Sequence, residues 1–225
     1  MGCLIIPSFA VGRTQEIIYS IRALEDQGKI PPIPVHIDSP MAIDATDVYC
    51  AHSEEHDLDM KLLSDAKLCP LSSKKFYIHR TAEESKAIND LAGPLIIISA
   101  SGMVTGGRVL HHLKRRLPDD KTTVLLVGFQ AEGTRGRTLQ SGKNEVKMLG
   151  EIIPVRAEVK TIDGFSAHAD QDEILRWLRS FKRPPRRTFV THGEPPASQA
   201  LHTVLRDELK WNTEIPSIGQ TVVLQ

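Results

Sequence analysis

Two histidines in similar local settings are the residues best suited to chemistry in this sequence. His168 lies in Asp-Gly-Phe-Ser-Ala-His-Ala-Asp (residues 163–170), and His192 lies in Thr-His-Gly-Glu (residues 191–194). Each stands where a strand pattern gives way to a helix pattern, which is where α/β proteins commonly place catalytic side chains. Imidazole binds zinc and exchanges protons near neutral pH. The pair therefore predicts metal-assisted chemistry at a shared rim.

The spacing of the histidines by itself leaves a plainer interpretation open. His168 and His192 fit neither the i, i+4 zincin pattern nor a zinc-finger pair, so both could be ordinary loop residues. His52 and His56 do lie four apart. Their pattern offers no third ligand, so a solvated helix surface explains them better than a metal site.

Two further candidates lie where predicted strands end. Arg13 begins a predicted helix after the apolar residues 4–9, near backbone donors that could hold an anion. Asp38 ends a predicted strand over residues 34–38 and precedes Ser39-Pro40. A solvated first turn for Arg13 and a capping role for Asp38 remain open beside the functional interpretation.

A glycine-rich loop follows the most apolar predicted strand, residues 94–100. Glycines before a helix let backbone N–H groups approach a phosphate, which the helix N-terminus also favours. The spacing does not match the dinucleotide-binding Gly-x-Gly-x-x-Gly pattern. The candidate phosphate contacts in this loop are Ser101, Gly102, Gly106, Gly107 and Arg108.

Two arginines in a second loop are also candidate phosphate contacts. Arg135 and Arg137 follow a predicted strand over residues 122–129. Solvent-exposed loop charges are the alternative for both. The nearby segment 136–143 superficially resembles a Walker A loop, but its glycine spacing is wrong and Asn144 replaces Ser or Thr, so an ATP site is rejected.

The order of the elements predicts an α/β fold with two domains. Strand and helix patterns alternate up to about Gly142, as in a doubly wound, mostly parallel sheet. Residues 146–149 and 155–162 form two alternating runs separated by Gly150 and Pro154, which is typical of antiparallel strands. We therefore predict domains over residues 1–142 and 143–225.

Five motifs, in their order along the chain, resemble those of the β-CASP branch of the metallo-β-lactamase superfamily, which includes RNase J and the endonuclease of pre-mRNA 3′-end processing. The motifs are Ile-Pro-Ser-Phe-Ala-Val-Gly-Arg-Thr-Gln-Glu (6–16), Asp-Ser-Pro-Met-Ala (38–42), Ser-Gly-Met-Val-Thr-Gly-Gly-Arg (101–108), Ser-Ala-His-Ala-Asp (166–170) and Thr-His-Gly-Glu-Pro (191–195). The resemblance implies a β-CASP domain followed by the C-terminal part of a metallo-β-lactamase αββα sandwich.

The resemblance also implies roles for single residues. His192 would bind the second of the two zinc ions of a complete family member, and His168 would act at the scissile phosphate. Ser166, in the same motif as His168, would contact the RNA substrate. The implied activity is zinc-dependent hydrolysis of RNA phosphodiester bonds.

The family's main metal cradle, His-x-His-x-Asp-His, does not occur in this sequence. We therefore expect the chain to be the C-terminal region of a longer enzyme, inactive alone and dependent on a missing N-terminal metallo-β-lactamase half. A non-catalytic module for RNA binding or assembly is the alternative, so the sequence leaves open whether the chain takes part in catalysis. A homodimer is also left open.

Composition sets outer limits on function. The 225 residues are 40% hydrophobic and 25% charged, with a formal net charge of zero, so RNA contacts must come from local basic clusters. Three cysteines without Cys-x-x-Cys spacing predict reduced thiols. No stretch approaches 18 apolar residues, so we expect no membrane association and a cytoplasmic protein.

Overall fold

The computed structural model describes residues 2–56, 71–165 and 168–223. Ser166, a predicted substrate contact, lies outside the described residues. The chain divides into two compact units, Met1–Ser166 and Ala167–Gln225.

The strands and helices of the described residues alternate through most of the first unit. The strands are β1 (Cys3–Pro7), β2 (Val35–Ile37), β3 (Phe76–Ile78), β4 (Leu95–Ser99), β5 (Thr122–Leu126), β6 (Glu145–Met148), β7 (Glu151–Pro154), β8 (Glu158–Thr161), β9 (Thr188–Phe189) and β10 (Thr213–Glu214). The helices are α1 (Arg13–Asp26), α2 (Pro40–Ala51), α3 (Ala82–Ile88), α4 (Val109–Arg116), α5 (Arg135–Gln140), α6 (Gln171–Leu178) and α7 (Pro195–Asp207), with a short 3₁₀ turn at Ser53–Glu55.

A six-stranded parallel sheet organises the first unit, in the order β3-β2-β4-β1-β5-β8. Strand β4 is buried along its whole length, because α1 and α2 cover one face of the sheet and α3, α4 and α5 cover the other. A strand covered on both faces requires a continuous apolar run, which Leu-Ile-Ile-Ile provides. The predicted doubly wound α/β fold is confirmed.

The end of this unit corrects one prediction. Strands β6 and β7 form an antiparallel hairpin, closed by a two-residue turn in which Leu149 and Gly150 both have positive φ. The second alternating run, residues 155–162, does not join them as predicted. It forms β8, which pairs in parallel with β5 at the edge of the main sheet. The tight turn pairs β6 with β7, and β8 pairs with β5 instead.

The second unit is built on two helices and a short parallel ladder of β9 and β10. Helix α6 begins with a capping box between Asp170 and Glu173. Its apolar face and that of α7 bury a small core. That core consists of Leu175, Leu178, Val190, Leu205 and Trp211.

The cysteines and the lengths of the helices bear on two further predictions. Cys3 is a free, buried thiol, whereas Cys50 is disulfide-bonded, so the expectation that all the thiols are reduced is wrong. No helix among the described residues is both long enough and apolar enough to cross a membrane.

Candidate functional site

Asp38 is the centre of a buried polar cluster at the carboxyl end of β2. Its side chain has no exposed surface. Ser85 Oγ donates to Asp38 Oδ2 at 2.6 Å, and His112 Nε2 lies 2.7 Å from the same oxygen. Arg108 Nη1 donates to Asp38 Oδ1 at 2.9 Å. The carboxylate therefore joins three elements that are far apart in sequence.

The three donors also fix the ionisation of Asp38. Burial acts to raise its pKa, but the hydrogen bonds from His112, Ser85 and Arg108 outweigh burial and hold the pKa below its ordinary value. Asp38 is therefore a carboxylate at neutral pH. Because it is enclosed, its direct effect is on the residues around it, and any contact with a substrate stays a prediction.

Arg108 connects the carboxylate to the ends of neighbouring strands. Its guanidinium also donates to the carbonyl oxygens of His79 at 3.0 Å and Arg80 at 2.8 Å, directly after β3. Arg108 is the last residue of the glycine-rich loop, so these bonds fix where the loop enters α4. The loop is therefore anchored at one end by an ion pair to a buried carboxylate.

The glycine-rich loop is held closed from within. Ser101 Oγ accepts from the backbone N–H groups of Thr105 at 3.0 Å and Gly106 at 3.3 Å. Gly107 has φ 79°, and a side chain there would collide with the carbonyl oxygen of Ala100. A Cβ at Gly102 would lie 2.9 Å from the Phe9 ring. Close packing therefore requires glycine at positions 102 and 107, whatever the role of Gly102 and Gly107 towards a phosphate.

The other predicted phosphate contacts differ in how fully they are engaged. Arg135 donates to the carbonyl oxygens of Lys147, Val104 and Thr105, which joins the two loops and the hairpin. Arg13 is paired with Glu16 and lies over the Phe165 ring at 5.4 Å.

Arg137 is exposed, and its guanidinium donates to Gln140 at 3.1 Å. Arg135, by contrast, already has structural partners. Of these two arginines, Arg137 is therefore the better placed to meet a polyanion.

Sequence reasoning missed several members of the Asp38 cluster. Ser85 and Asn89 lie on or directly after α3, and Asn89 Oδ1 is 2.9 Å from His112 Nδ1. One available signal was that His112 lies one helical turn after Arg108, so both side chains face the same way. The partners of a buried carboxylate at the end of β2 could have been sought there.

A histidine pair lies beside this cluster, with His36 on β2 and His79 directly after β3. His36 Nδ1 and His79 Nε2 are 2.9 Å apart, and the His36 ring stacks on both Tyr77 and His79. Burial, followed by the neighbouring His79, lowers the pKa of His36 from 6.5 to about 4. His36 is therefore neutral in the folded protein at pH 7.

This shift predicts a loss of stability in mild acid. Between pH 6.5 and about 4 the unfolded chain binds a proton at His36 that the folded chain does not, so stability should fall as pH falls through this window. One group contributes at most about 1.4 kcal/mol per pH unit. Urea unfolding of the wild type and of His36→Gln from pH 7.5 to 4.5 measures it. A wild-type profile no steeper than that of His36→Gln would contradict the assignment.

His168 and His192 both belong to the second unit. His168 is exposed and lies two residues before Asp170, the N-cap of α6. His192 is exposed, adopts φ 72° and lies two residues after the core residue Val190. A side chain at Gly193 would come within 2.7 Å of Ser198 Oγ, so the turn between His192 and α7 is tight. Their catalytic and metal-binding roles stay predictions.

Zinc sites usually take three or four protein ligands. In residues 2–56, 71–165 and 168–223, no three His, Cys, Asp or Glu side chains converge in a way that could hold a metal ion. The described residues of this chain therefore do not form a zinc site by themselves.

Two known domain families match this chain. Residues 14–139 match the Beta-Casp domain, and residues 152–216 match the Zn-dependent metallo-hydrolase RNA specificity domain. The two matches take up most of the chain.

Three curated relatives illustrate the similarity. The chain is 35% identical to the transcription termination factor FttA of Pyrococcus abyssi over 100% of this chain and 35% of the relative. It is 36% identical to ribonuclease TTHA0252 of Thermus thermophilus over 91% of this chain and 46% of the relative. It is 36% identical to an RNase J-like protein of Methanocaldococcus jannaschii over 97% of this chain and 49% of the relative. The chain thus spans half or less of the length of these relatives.

The order of the two matched domains is the order that the five sequence motifs predicted. The parallel sheet, with helices on both faces, agrees with the first match. The chain belongs to the β-CASP family of the metallo-β-lactamase superfamily.

Proposed function

We propose that this chain is the β-CASP and RNA-specificity region of a zinc-dependent hydrolase that cleaves RNA phosphodiester bonds. One observation carries the proposal: both domain matches, one of them to an RNA-specificity domain, occur in order along the chain. Relatives named ribonuclease and RNase J-like support the substrate class. The segment between the matches, residues 140–151, contains the domain boundary that we propose near Gly142.

The first unit would supply contacts to RNA phosphates. The ion pair between Asp38 and Arg108 fixes the start of α4, and with it the loop over residues 101–107. Backbone N–H groups and hydroxyls of such a loop suit a phosphate oxygen. Arg137 and Arg13 would supply further positive charge for RNA phosphates. In this proposal Asp38 is a positioning residue.

The second unit would supply the two functional histidines. His168 would lie at the scissile phosphate and protonate the leaving oxygen, a transfer typically worth about 10²–10⁴-fold in rate. His192 would be one zinc ligand in a site completed by residues of an accompanying metallo-β-lactamase half. Ser166 would contact the RNA beside His168.

A second function is favoured by a specific observation. Several relatives of similar identity are named transcription termination factors, and the described residues do not form a metal site alone. A non-catalytic module for RNA binding or assembly would agree with both findings. Hydrolysis separates the two functions, because only the first requires cleavage.

The test is cleavage by a completed protein. The chain is joined to the part of the Thermus thermophilus ribonuclease that lies outside the matched region and is incubated with an end-labelled single-stranded RNA. Zinc-dependent cleavage that a chelator abolishes and added zinc restores is the expected result. If the folded chimaera binds zinc and RNA but releases no product, the hydrolase proposal is overturned in favour of the binding module.

A further inference from the structure

A short segment of the second unit concentrates positive charge and aromatic rings. Residues 176–187, here called the aromatic basic segment, read Arg-Trp-Leu-Arg-Ser-Phe-Lys-Arg-Pro-Pro-Arg-Arg. They contain six basic residues and no acidic residue, in a chain whose formal net charge is zero. The segment is therefore locally basic in a chain that is neutral as a whole.

The fold exposes the two large rings of the segment and keeps them in a fixed arrangement. Leu175 and Leu178 anchor α6 in the core, which turns Trp177 outward with 63% of its surface exposed. Phe181 is 45% exposed. The two rings meet edge to face at 5.4 Å and 89°, and Phe181 also packs on the buried Trp211 at 5.6 Å. Phe181 therefore connects the exposed Trp177 ring to the buried Trp211 ring.

Basic residues flank both rings in the sequence, and they differ in whether an acidic side chain pairs with them. Arg179 and Arg187 form ion pairs with Glu208 and Glu214, whereas Arg176, Lys182 and Arg183 are exposed without an acidic partner in residues 168–223. This contrasts with the first unit, where Arg108 and Arg135 are engaged by a carboxylate and by backbone carbonyls. Three exposed cations without an acidic partner in residues 168–223 therefore stand next to Trp177 or Phe181, or within two residues of them, in the sequence.

We propose that the aromatic basic segment is a binding site for single-stranded RNA, in which Trp177 and Phe181 stack on bases and Arg176, Lys182 and Arg183 neutralise phosphates. Exposed aromatic side chains within a positively charged surface are how proteins hold single strands without reading their sequence. The inference rests on the proposed function, since it assigns residues to an RNA-binding region. It places an RNA contact on the far side of α6 from its core face.

The charge pattern distinguishes RNA from a protein partner for this surface. Protein interfaces are enriched in Arg as well as aromatic residues, but a run of six cations without one acidic residue favours a polyanion over a protein surface of mixed charge. Here cations flank both rings along the chain, and duplex RNA would offer no exposed bases for stacking. A single strand provides bases and phosphates together.

The first arm of the test examines stacking. Binding of a fluorescently labelled oligouridine of twelve nucleotides to the full chain is measured by anisotropy at low salt. Trp177→Leu is expected to weaken binding about tenfold, whereas Trp177→Phe retains most of it, because only the latter can stack. Equal loss in both variants, or equal retention, overturns the stacking role.

The second arm examines charge. In one triple variant, Arg176, Lys182 and Arg183 are each replaced by alanine. The magnitude of the slope of log affinity against log salt should fall by about 2, since each phosphate contact on a single strand contributes about 0.7. The control substitutes three exposed lysines of the first unit, Lys29, Lys75 and Lys143, and removes the same charge. An equal fall in slope for both triple variants would show a general charge effect and overturn the site.

The outcomes separate this inference from the proposed function. If the chimaera cleaves RNA and the variants of residues 176–187 bind as the wild type does, the site is overturned and the hydrolase stands. If the variants lose binding but the chimaera does not cleave, the site stands and the hydrolase is overturned. A change in molecular mass by light scattering in Trp177→Leu, with RNA affinity unchanged, assigns the rings to a protein contact and overturns the site.

Discussion

Replacing Asp38 with alanine is expected to lower the free energy of unfolding by about 3–5 kcal/mol, because the buried Ser85 and His112 would each keep an unsatisfied polar group at about 1–3 kcal/mol and the partly exposed Arg108 would lose its ion pair. The guanidinium of Arg108 would lose its carboxylate acceptor, and the fully buried His112 would lose the oxygen now 2.7 Å from Nε2. Ser85 Oγ would lose its acceptor as well. Asp38, Ser85 and His112 are all buried, so the loss should exceed that of any single hydrogen bond.

Asp44 provides a matched control for this substitution. It also pairs with an arginine, Arg80, at 2.6 Å, but its side chain is 67% exposed. Surface pairs contribute about 0–1 kcal/mol, so Asp44→Ala should scarcely move the urea midpoint. If both alanine variants unfold at the same urea concentration, the Asp38 cluster does not stabilise the protein.

A double variant separates a lost interaction from a general disturbance of packing. Arg108→Ala added to Asp38→Ala removes the unpaired guanidinium. The double variant should therefore lose less stability than the sum of the two single losses. Simple additivity of the two losses would contradict a coupled pair.

Much of the first unit could be predicted because local signals and burial agree there. The apolar run of β4 demanded a central strand, and the structure confirms it. Ser39 caps α2, and Thr81 forms a capping box with Glu84, both short-range patterns that the sequence itself contains. In each of these places the residues that determine the element lie within the element itself.

The failures have a different physical origin, since they concern contacts between distant segments. Alternation over residues 155–162 indicates a half-buried strand but does not reveal which neighbour pairs with it, and β8 joined β5 in parallel. Asp38 was noticed as a strand-end carboxylate, but its partners Ser85 and His112 lie 47 and 74 positions away. Arg135 had the composition of a phosphate contact, but it binds carbonyl oxygens of three separate residues.

The roles of His168 and His192 are best tested in the completed chimaera, by measuring zinc content and cleavage rate in parallel. His192→Ala should lower both, because losing a ligand weakens a tetrahedral zinc site. His168→Ala should lower the rate by about 10²–10⁴-fold and leave zinc content unchanged, as expected for loss of a proton donor. Both side chains are exposed in the second unit, so neither substitution removes a core contact of that unit.

His202 serves as the control for both substitutions. It lies on α7 of the same unit, where its Nδ1 is 2.9 Å from Thr213 Oγ1, and the proposed function assigns it no part in the reaction. His202→Ala should therefore keep both zinc and rate, apart from a small loss of stability. If His168→Ala loses zinc while His192→Ala retains it, the two roles are reversed. If all three variants lose rate only in proportion to their loss of folded protein, the histidines serve packing and neither belongs to the reacting centre.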